Sequence, residues 1–142
     1  MIYADTSALL KRYLHEAHSD EFDALFLDSA PLSISHLSVL EARCALARRR
    51  RSGMIDASIE TAAWRALQSD IRHAALKLHS VSDAQCADAT DLIESLPGIA
   101  LRSLDAAHLA IARDIGATAL ATADKTQADA AQALGFTVHR FF

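Results

Sequence analysis

Cysteine is scarce in this chain of 142 residues, with Cys44 and Cys86 the only two. That excludes a disulfide-built scaffold and any zinc site made of three or four thiolates. Proline (Pro31, Pro97) and glycine (Gly53, Gly98, Gly116, Gly135) are nearly as sparse. No linker, low-complexity tract or internal repeat interrupts the chain, so a single domain over residues 1–142 is expected. No apolar run approaches the ~20 residues of a membrane span. The opening MIYADTSALLKRY has an acid at Asp5 and no basic leader, unlike a signal peptide. The expectation is a cytoplasmic protein with no membrane partner. An excess of positive charge is missing too. Fourteen Lys and Arg stand against 18 Asp and Glu, for a net charge of -4. Bulk charge therefore does not draw this chain to nucleic acid. A nucleic-acid function would need a metal ion or a local basic patch.

What is present is the balance of a folded core, 51% hydrophobic and 23% charged. Alanine and leucine fill the long segments, which favours helices. Residues 1–4 (MIYA) read as a buried strand ending at Asp5, followed by a helix over 8–15 and another over 19–28. Residues 32–35 (LSIS) read as a strand, and 36–51 as a helix with Leu37, Leu40, Cys44 and Ala47 on its inner stripe. A helix over 56–76, a strand over 77–81 and helices over 83–96 and 103–115 follow. A strand over 117–121, a helix over 125–134 and a strand over 136–141 complete the chain. This alternation predicts an α/β fold of three layers, α/β/α, with a mostly parallel sheet of four or five strands.

In such sheets the site lies beyond the carboxyl ends of the strands. Asp5 and Thr122 sit at predicted strand ends, with Asp124 just beyond. Glu41 and Asp105 sit in the first turns of predicted helices, facing the same edge. Each acid also has a purely structural reading. Asp5 and Asp124 can cap helices, Ser38 and Glu41 match a capping box, and Asp105 complements a helix dipole. Apolar residues flank all four, however, so they emerge at the edges of buried elements, unlike the polar run Ser19 to Asp23. Four carboxylates converging there repel, at about 4 kcal/mol per pair for ~4 Å and an effective dielectric of ~20. Such a site takes up a cation or a proton. All-oxygen ligation selects Mg²⁺, with Mn²⁺ able to substitute. A carboxylate-held divalent ion suits phosphodiester hydrolysis.

The motifs Asp5-Thr6-Ser7 after an apolar strand, Glu41 early in the third helix, Leu104-Asp105-Ala106-Ala107-His108-Leu109-Ala110 and Thr122-Ala123-Asp124 occur in one order. With these spacings the chain resembles the PIN-domain proteins, and among them the VapC-like ribonuclease toxins of bacterial toxin–antitoxin pairs. The resemblance covers nearly the whole chain. It implies Mg²⁺-dependent hydrolysis of RNA, a homodimer, and a small antitoxin whose C-terminal segment lies over the site. It departs from the family pattern at Thr126, where a further acid often stands. Asp5, Glu41, Asp105 and Asp124 are the expected catalytic and metal-binding residues. Thr6, Ser7 and Thr122 are the expected hydrogen-bond donors in support. Arg102, Lys125 and Arg48 are the expected RNA contacts.

The remaining features read more plainly. Arg43 and Arg48 to Arg51 form the one basic cluster, either an RNA contact or a solvated helix end. The seven histidines share no ligand spacing. His108, three residues after Asp105, is expected to steer its helix by a hydrogen bond. Cys44 and Cys86 read as small hydrophobes. Trp64 and the terminal Phe141-Phe142 pair read as core or as a partner surface. Two alternatives to the nuclease stand beside it. One is a non-cleaving PIN module that binds RNA or protein. The other is a receiver-like phosphotransfer domain, disfavoured because Asp5 lacks a neighbouring acid and residues 32–35 lead to His36.

Overall fold

Every second residue of a strand points to the same face, and the first strand already sorts the core into two halves. The computed structural model describes residues 1–142. In β1 (Ile2–Ala4), Tyr3 packs into one hydrophobic cluster and Ala4 into the other. On one side of the sheet lie α1 (Thr6–Leu9), a 3-10 turn over Leu10–Arg12, α2 (Ser19–Ser29), α3 (His36–Arg51) and α4 (Ala57–Arg72). On the other lie α5 (Asp83–Ser95), α6 (Ser103–Asp114) and α7 (Lys125–Ala133). The strands are β1, β2 (Leu32–Ser35), β3 (Leu76–His79), β4 (Ala119–Thr122) and β5 (Thr137–Arg140). They form one sheet in the order β3-β2-β1-β4-β5, and every pairing is parallel. The predicted three-layer α/β/α architecture is the one observed. No helix is long and apolar enough to cross a membrane.

The order of strands places the site. From β1 the chain builds outward first through β2 and β3, then returns to build through β4 and β5 on the other side. Such a reversal opens a crevice at the carboxyl ends of the two strands flanking it, here β1 and β4. A receiver domain carries the order 2-1-3-4-5, so the observed order excludes the receiver-like alternative.

Several sequence expectations shift in register. The helix expected over 8–15 ends as α1 at Leu9 and tightens into the 3-10 turn. The chain then leaves the helical path because local polar bonds replace the ladder. Lys11 Nζ donates to the Ala17 carbonyl at 2.8 Å, and Ser19 Oγ donates to the Leu14 carbonyl at 3.1 Å. The inner face of α3 is Ser38, Ala42, Ala45 and Leu46, whereas Leu40 is 68% exposed and Cys44 is exposed. Cys86 is exposed as well, so neither thiol is a core residue. The capping box of α3 is built by Ser35 and Ser38, one turn before the expected Ser38–Glu41 pair. That leaves the Glu41 side chain free for other partners.

Candidate active site

Asp5 ends β1, and its backbone N–H donates to the Ala121 carbonyl of β4 at 3.0 Å, holding the crevice between the two strands shut at its base. Its carboxylate is 3% exposed and collects donors. It caps α1 by accepting from the Ala8 N–H at 2.9 Å, and it accepts from Ser7 Oγ at 2.8 Å and Thr122 Oγ1 at 2.7 Å. Burial pushes the Asp5 carboxyl above its ordinary value. The charge of His108 and the three donors pull the other way, and burial prevails. Ser7 and Thr122 each do a second job. Ser7 Oγ accepts from the Ala123 N–H at 2.8 Å, and Thr122 Oγ1 accepts from the Asp124 N–H at 3.0 Å. The Ser7 bond ties the turn after β1, which carries Asp5, to the turn after β4, which carries Asp124.

Glu41 stands on α3 across the crevice. Its Oε1 accepts from Thr6 Oγ1 at 2.9 Å and from His108 Nε2 at 2.5 Å. A carboxylate has no proton to give, so Nε2 of His108 carries the hydrogen. The Tyr3 hydroxyl closes against the other ring nitrogen at 2.7 Å and against Ser35 Oγ at 2.9 Å. Burial pushes the Tyr3 phenol up to about 12, so the phenol keeps its proton at neutral pH. Burial would raise Glu41 as well. The hydrogen bond and charge of His108, with smaller help from Thr6 and Arg102, outweigh it and hold Glu41 below its ordinary value.

Asp105, in the first turn of α6, and Asp124, the N-cap of α7, share one partner. Arg102 Nε donates to Asp105 Oδ2 at 2.9 Å and Arg102 Nη2 donates to Asp124 Oδ2 at 3.0 Å. Asp124 Oδ1 meanwhile caps α7 by accepting from the Gln127 N–H at 2.8 Å. The capping readings of Asp5 and Asp124 are therefore correct and compatible with function. A cap occupies one oxygen and leaves lone pairs for the crevice.

All four acids line a single cleft of about 650 Å³, together with Thr6 and Ser7. Thr122 lies beneath it, fully buried against Asp5. Beyond Glu41 the α3 side of the cleft turns basic. Glu41, Cys44, Ala45, Arg48 and Arg49 fall on one side of α3 and run along the cleft from the acids to two arginines. Lys11 joins them, and Glu16 bridges Lys11 Nζ at 3.4 Å and Arg49 Nη1 at 2.9 Å. Among the expected RNA contacts, Arg48 and Arg102 line the cleft, whereas Lys125 is exposed and outside the lining. Sequence reasoning missed Lys11 and Glu16, and it held Arg49 within a basic cluster that read equally as an RNA contact or a solvated helix end. Lys11 was hidden in a helix that was expected to continue.

The donor set suits a hard divalent ion. It is all oxygen, from four separate elements, and no acid is hydrogen-bonded to another. Glu41 Oε2 and Asp105 Oδ1 have no donor at all, and Asp5 with three donors keeps one of about four lone-pair sites. As the side chains stand, no three Asp, Glu, His or Cys groups are drawn close enough together to hold an ion. Arg102 supplies the local positive charge instead.

A family model described as the PIN domain matches residues 2–133. No curated protein matches the chain. Among solved structures, Mycobacterium tuberculosis VapC20, described as a sarcin–ricin loop cleaving toxin, superposes with a TM-score of 0.73 at 20% identity, covering 96% of this chain and 97% of that one. FitAcB from Neisseria gonorrhoeae gives 0.67 at 16% identity, over 97% and 96%. VapBC2 from Rickettsia felis, bound to a DNA fragment from their promoter, gives 0.68 at 14% identity over the full length of both chains. At these identities the likeness is one of fold.

Proposed function

This chain belongs to the PIN-domain family, and we propose that it is a metal-dependent ribonuclease, the toxin of a toxin–antitoxin pair. The observation that carries the reading is the cleft itself. Four carboxylates from four elements line it, and Lys11, Arg48 and Arg49 line the same cleft beyond Glu41 on the α3 side. Acids alone repel a polyanion, and a basic wall alone would bind RNA without cutting it. The two together suit a substrate whose flanking phosphates are held while one phosphodiester is hydrolysed.

Asp5, Glu41, Asp105 and Asp124 would hold Mg²⁺ or Mn²⁺. When bound, the ion supplies Lewis acidity at the phosphate oxygens and a water of lowered pKa. The chain's own groups do the rest. Thr6 and His108 fix Glu41 Oε1, so Oε2 is aimed into the cleft to orient the attacking water. Ser7 and Thr122 hold the Asp5 carboxylate in place. Arg48, Arg49 and Lys11 bind the phosphates beside the scissile bond, with an energy that falls with salt. Water attacks phosphorus, the bond to the 3′ oxygen breaks, and the leaving oxygen takes a proton from solvent.

The toxin reading extends to partners. FitAcB and VapBC2 share this fold, and by analogy a small antitoxin lies over the cleft here. Leu40 and Leu104, 68% and 45% exposed, flank the acids and offer it an apolar contact. A homodimer belongs to the same reading.

The deciding experiment is incubation of a mixed tRNA and rRNA pool with the purified chain and Mg²⁺ or Mn²⁺, with EDTA and Glu41→Gln as controls. The amide keeps the Oε1 acceptor for Thr6 and His108, so Glu41→Gln folds. Discrete products lost in both controls establish the nuclease and map its target. RNA binding without cleavage in any metal would establish the non-cleaving module instead.

A further inference from the structure

We infer that Arg102 is the resident counter-ion of the acid cluster, and that a divalent ion binding Asp105 and Asp124 has to displace it. The inference rests on the metal-dependent reading above and adds to it an internal competitor.

Three observations point this way. The guanidinium takes one oxygen from each of two acids that lie on different elements, at 2.9 Å from Asp105 and 3.0 Å from Asp124. It does nothing else that the fold needs. Arg102 stands at the N-cap of α6 and makes no side-chain cap bond there, and the helix neighbours α6 and α7 are already tied by Gln127 Nε2 to the Asp105 carbonyl at 3.4 Å. Finally, it is cheap to move. Its side chain is 73% exposed, against 11% and 27% for the acids it bridges. Half-exposed ion pairs of this kind are individually weak, whereas two carboxylates without any cation repel. The arrangement therefore favours Arg102 over nothing, and a doubly charged ion over Arg102.

Displacement has a second consequence. Arg102 lines the cleft, so the released guanidinium remains beside the reacting phosphate. Its planar fork suits two phosphate oxygens as well as two carboxylates. An arrangement that trades one partner for the other couples ion and RNA: each strengthens the binding of the other, by the same factor.

The test is Mn²⁺ affinity, measured by calorimetry without RNA, for the native chain, Arg102→Lys and Arg102→Gln. Arg102→Gln is expected to bind Mn²⁺ about ten-fold more tightly, the competition expected of two such ion pairs. Arg102→Lys, which keeps the charge but not the fork, falls between. In the native chain, Mg²⁺ should shift the Arg102 Nε–H resonance as its bond to Asp105 is lost. Equal or weaker Mn²⁺ binding by Arg102→Gln, while the native chain binds, overturns the inference and leaves the nuclease reading intact. No Mn²⁺ binding by any of the three chains overturns both. Arg102 is exposed, so both variants fold, and a thermal melt of each verifies it.

Discussion

His108 lies at the bottom of the cleft, 2% exposed, and donates its Nε2 proton to Glu41, a residue 67 positions away on another helix. The other ring nitrogen meets the Tyr3 hydroxyl at 2.7 Å. The imidazole thus fixes where Glu41 points, and the core fixes the imidazole. The ring also joins the two sides of the sheet, since Tyr3 packs with α6 while Glu41 belongs to α3.

Replacing His108 by alanine strips a hydrogen bond from Glu41 and leaves the Tyr3 hydroxyl without its ring partner. A loss of about 2–3 kcal/mol is expected in a urea melt. Cleavage should fall more than unfolding explains. His108→Gln, which keeps a donor near Nε2, should restore part of the rate at saturating Mg²⁺. Equal rates for the two variants would make His108 a packing residue only.

Asp5 contributes to the pH dependence of the metal-free protein. Burial raises its folded-state value above the 3.8 of an ordinary aspartate. The folded chain therefore keeps a proton that the unfolded chain has lost, and the Asp5 contribution to stability falls as pH rises through the raised value. Glu41 works in the opposite direction and lower down. Its value is depressed below 4.5, so its contribution is lost as pH falls through that depressed value. Asp5→Asn removes the first effect. It should match or exceed the native chain at pH 7 in EDTA and flatten the stability profile above pH 4. Asp5→Ala is the wrong probe, because it leaves Ser7, Thr122 and the Ala8 N–H without an acceptor. Urea midpoints measured at intervals from pH 4 to pH 8 decide. A native-like profile for Asp5→Asn would mean the carboxylate is better solvated than its burial implies.

The alternation of elements was legible because strand and helix patterns have different periods, and the acids because strand ends define the edge of a parallel sheet. The inner face of α3 was not. Ser35 and Ser38 are fully buried in the Tyr3 network, while Leu40 and Cys44 face outward. Polarity there reports on a hydrogen-bond network made by residues 32 to 105 positions away, which no local pattern contains. The basic cluster was ambiguous for the same reason. Arg48 and Arg49 turn to the cleft, whereas Arg43 and Arg50 pair with Glu60 of α4. Arg102 looked like a free phosphate contact, because its two carboxylate partners meet only when α6 and α7 pack side by side.

The terminal phenylalanines divide between core and surface. Phe141 extends β5 through a backbone bond to the Thr122 carbonyl at 3.0 Å, and its ring meets Phe22 edge-on at 5.3 Å. Phe141 is 6% exposed and Phe142 is 50% exposed. Phe141→Ala should cost about 3 kcal/mol. Phe142→Ala should stay within ~0.5 kcal/mol. Denaturant titrations of the two variants compare them directly, and equal losses would place both rings in the core.

The basic wall predicts a salt dependence that separates contacts from bystanders. On the proposed reading, the cleft should bind RNA without cutting when EDTA is present, and affinity then reports on phosphate contacts alone. Each contact to single-stranded RNA contributes about 0.7 to the slope of log affinity against log salt. Arg48→Ala should lower the slope by about that amount, since Arg48 is exposed, lines the cleft and has no carboxylate partner. Lys125→Ala should leave it unchanged, because Lys125 lies outside the lining. Glu16→Gln should act in the opposite sense. Glu16 now neutralises Lys11 and Arg49, and removing its charge frees both for phosphate, steepening the slope. If Lys125 proves the stronger contact, the RNA path leaves the cleft over α7, and the basic side of α3 serves to pair with Glu16 and Glu60 alone.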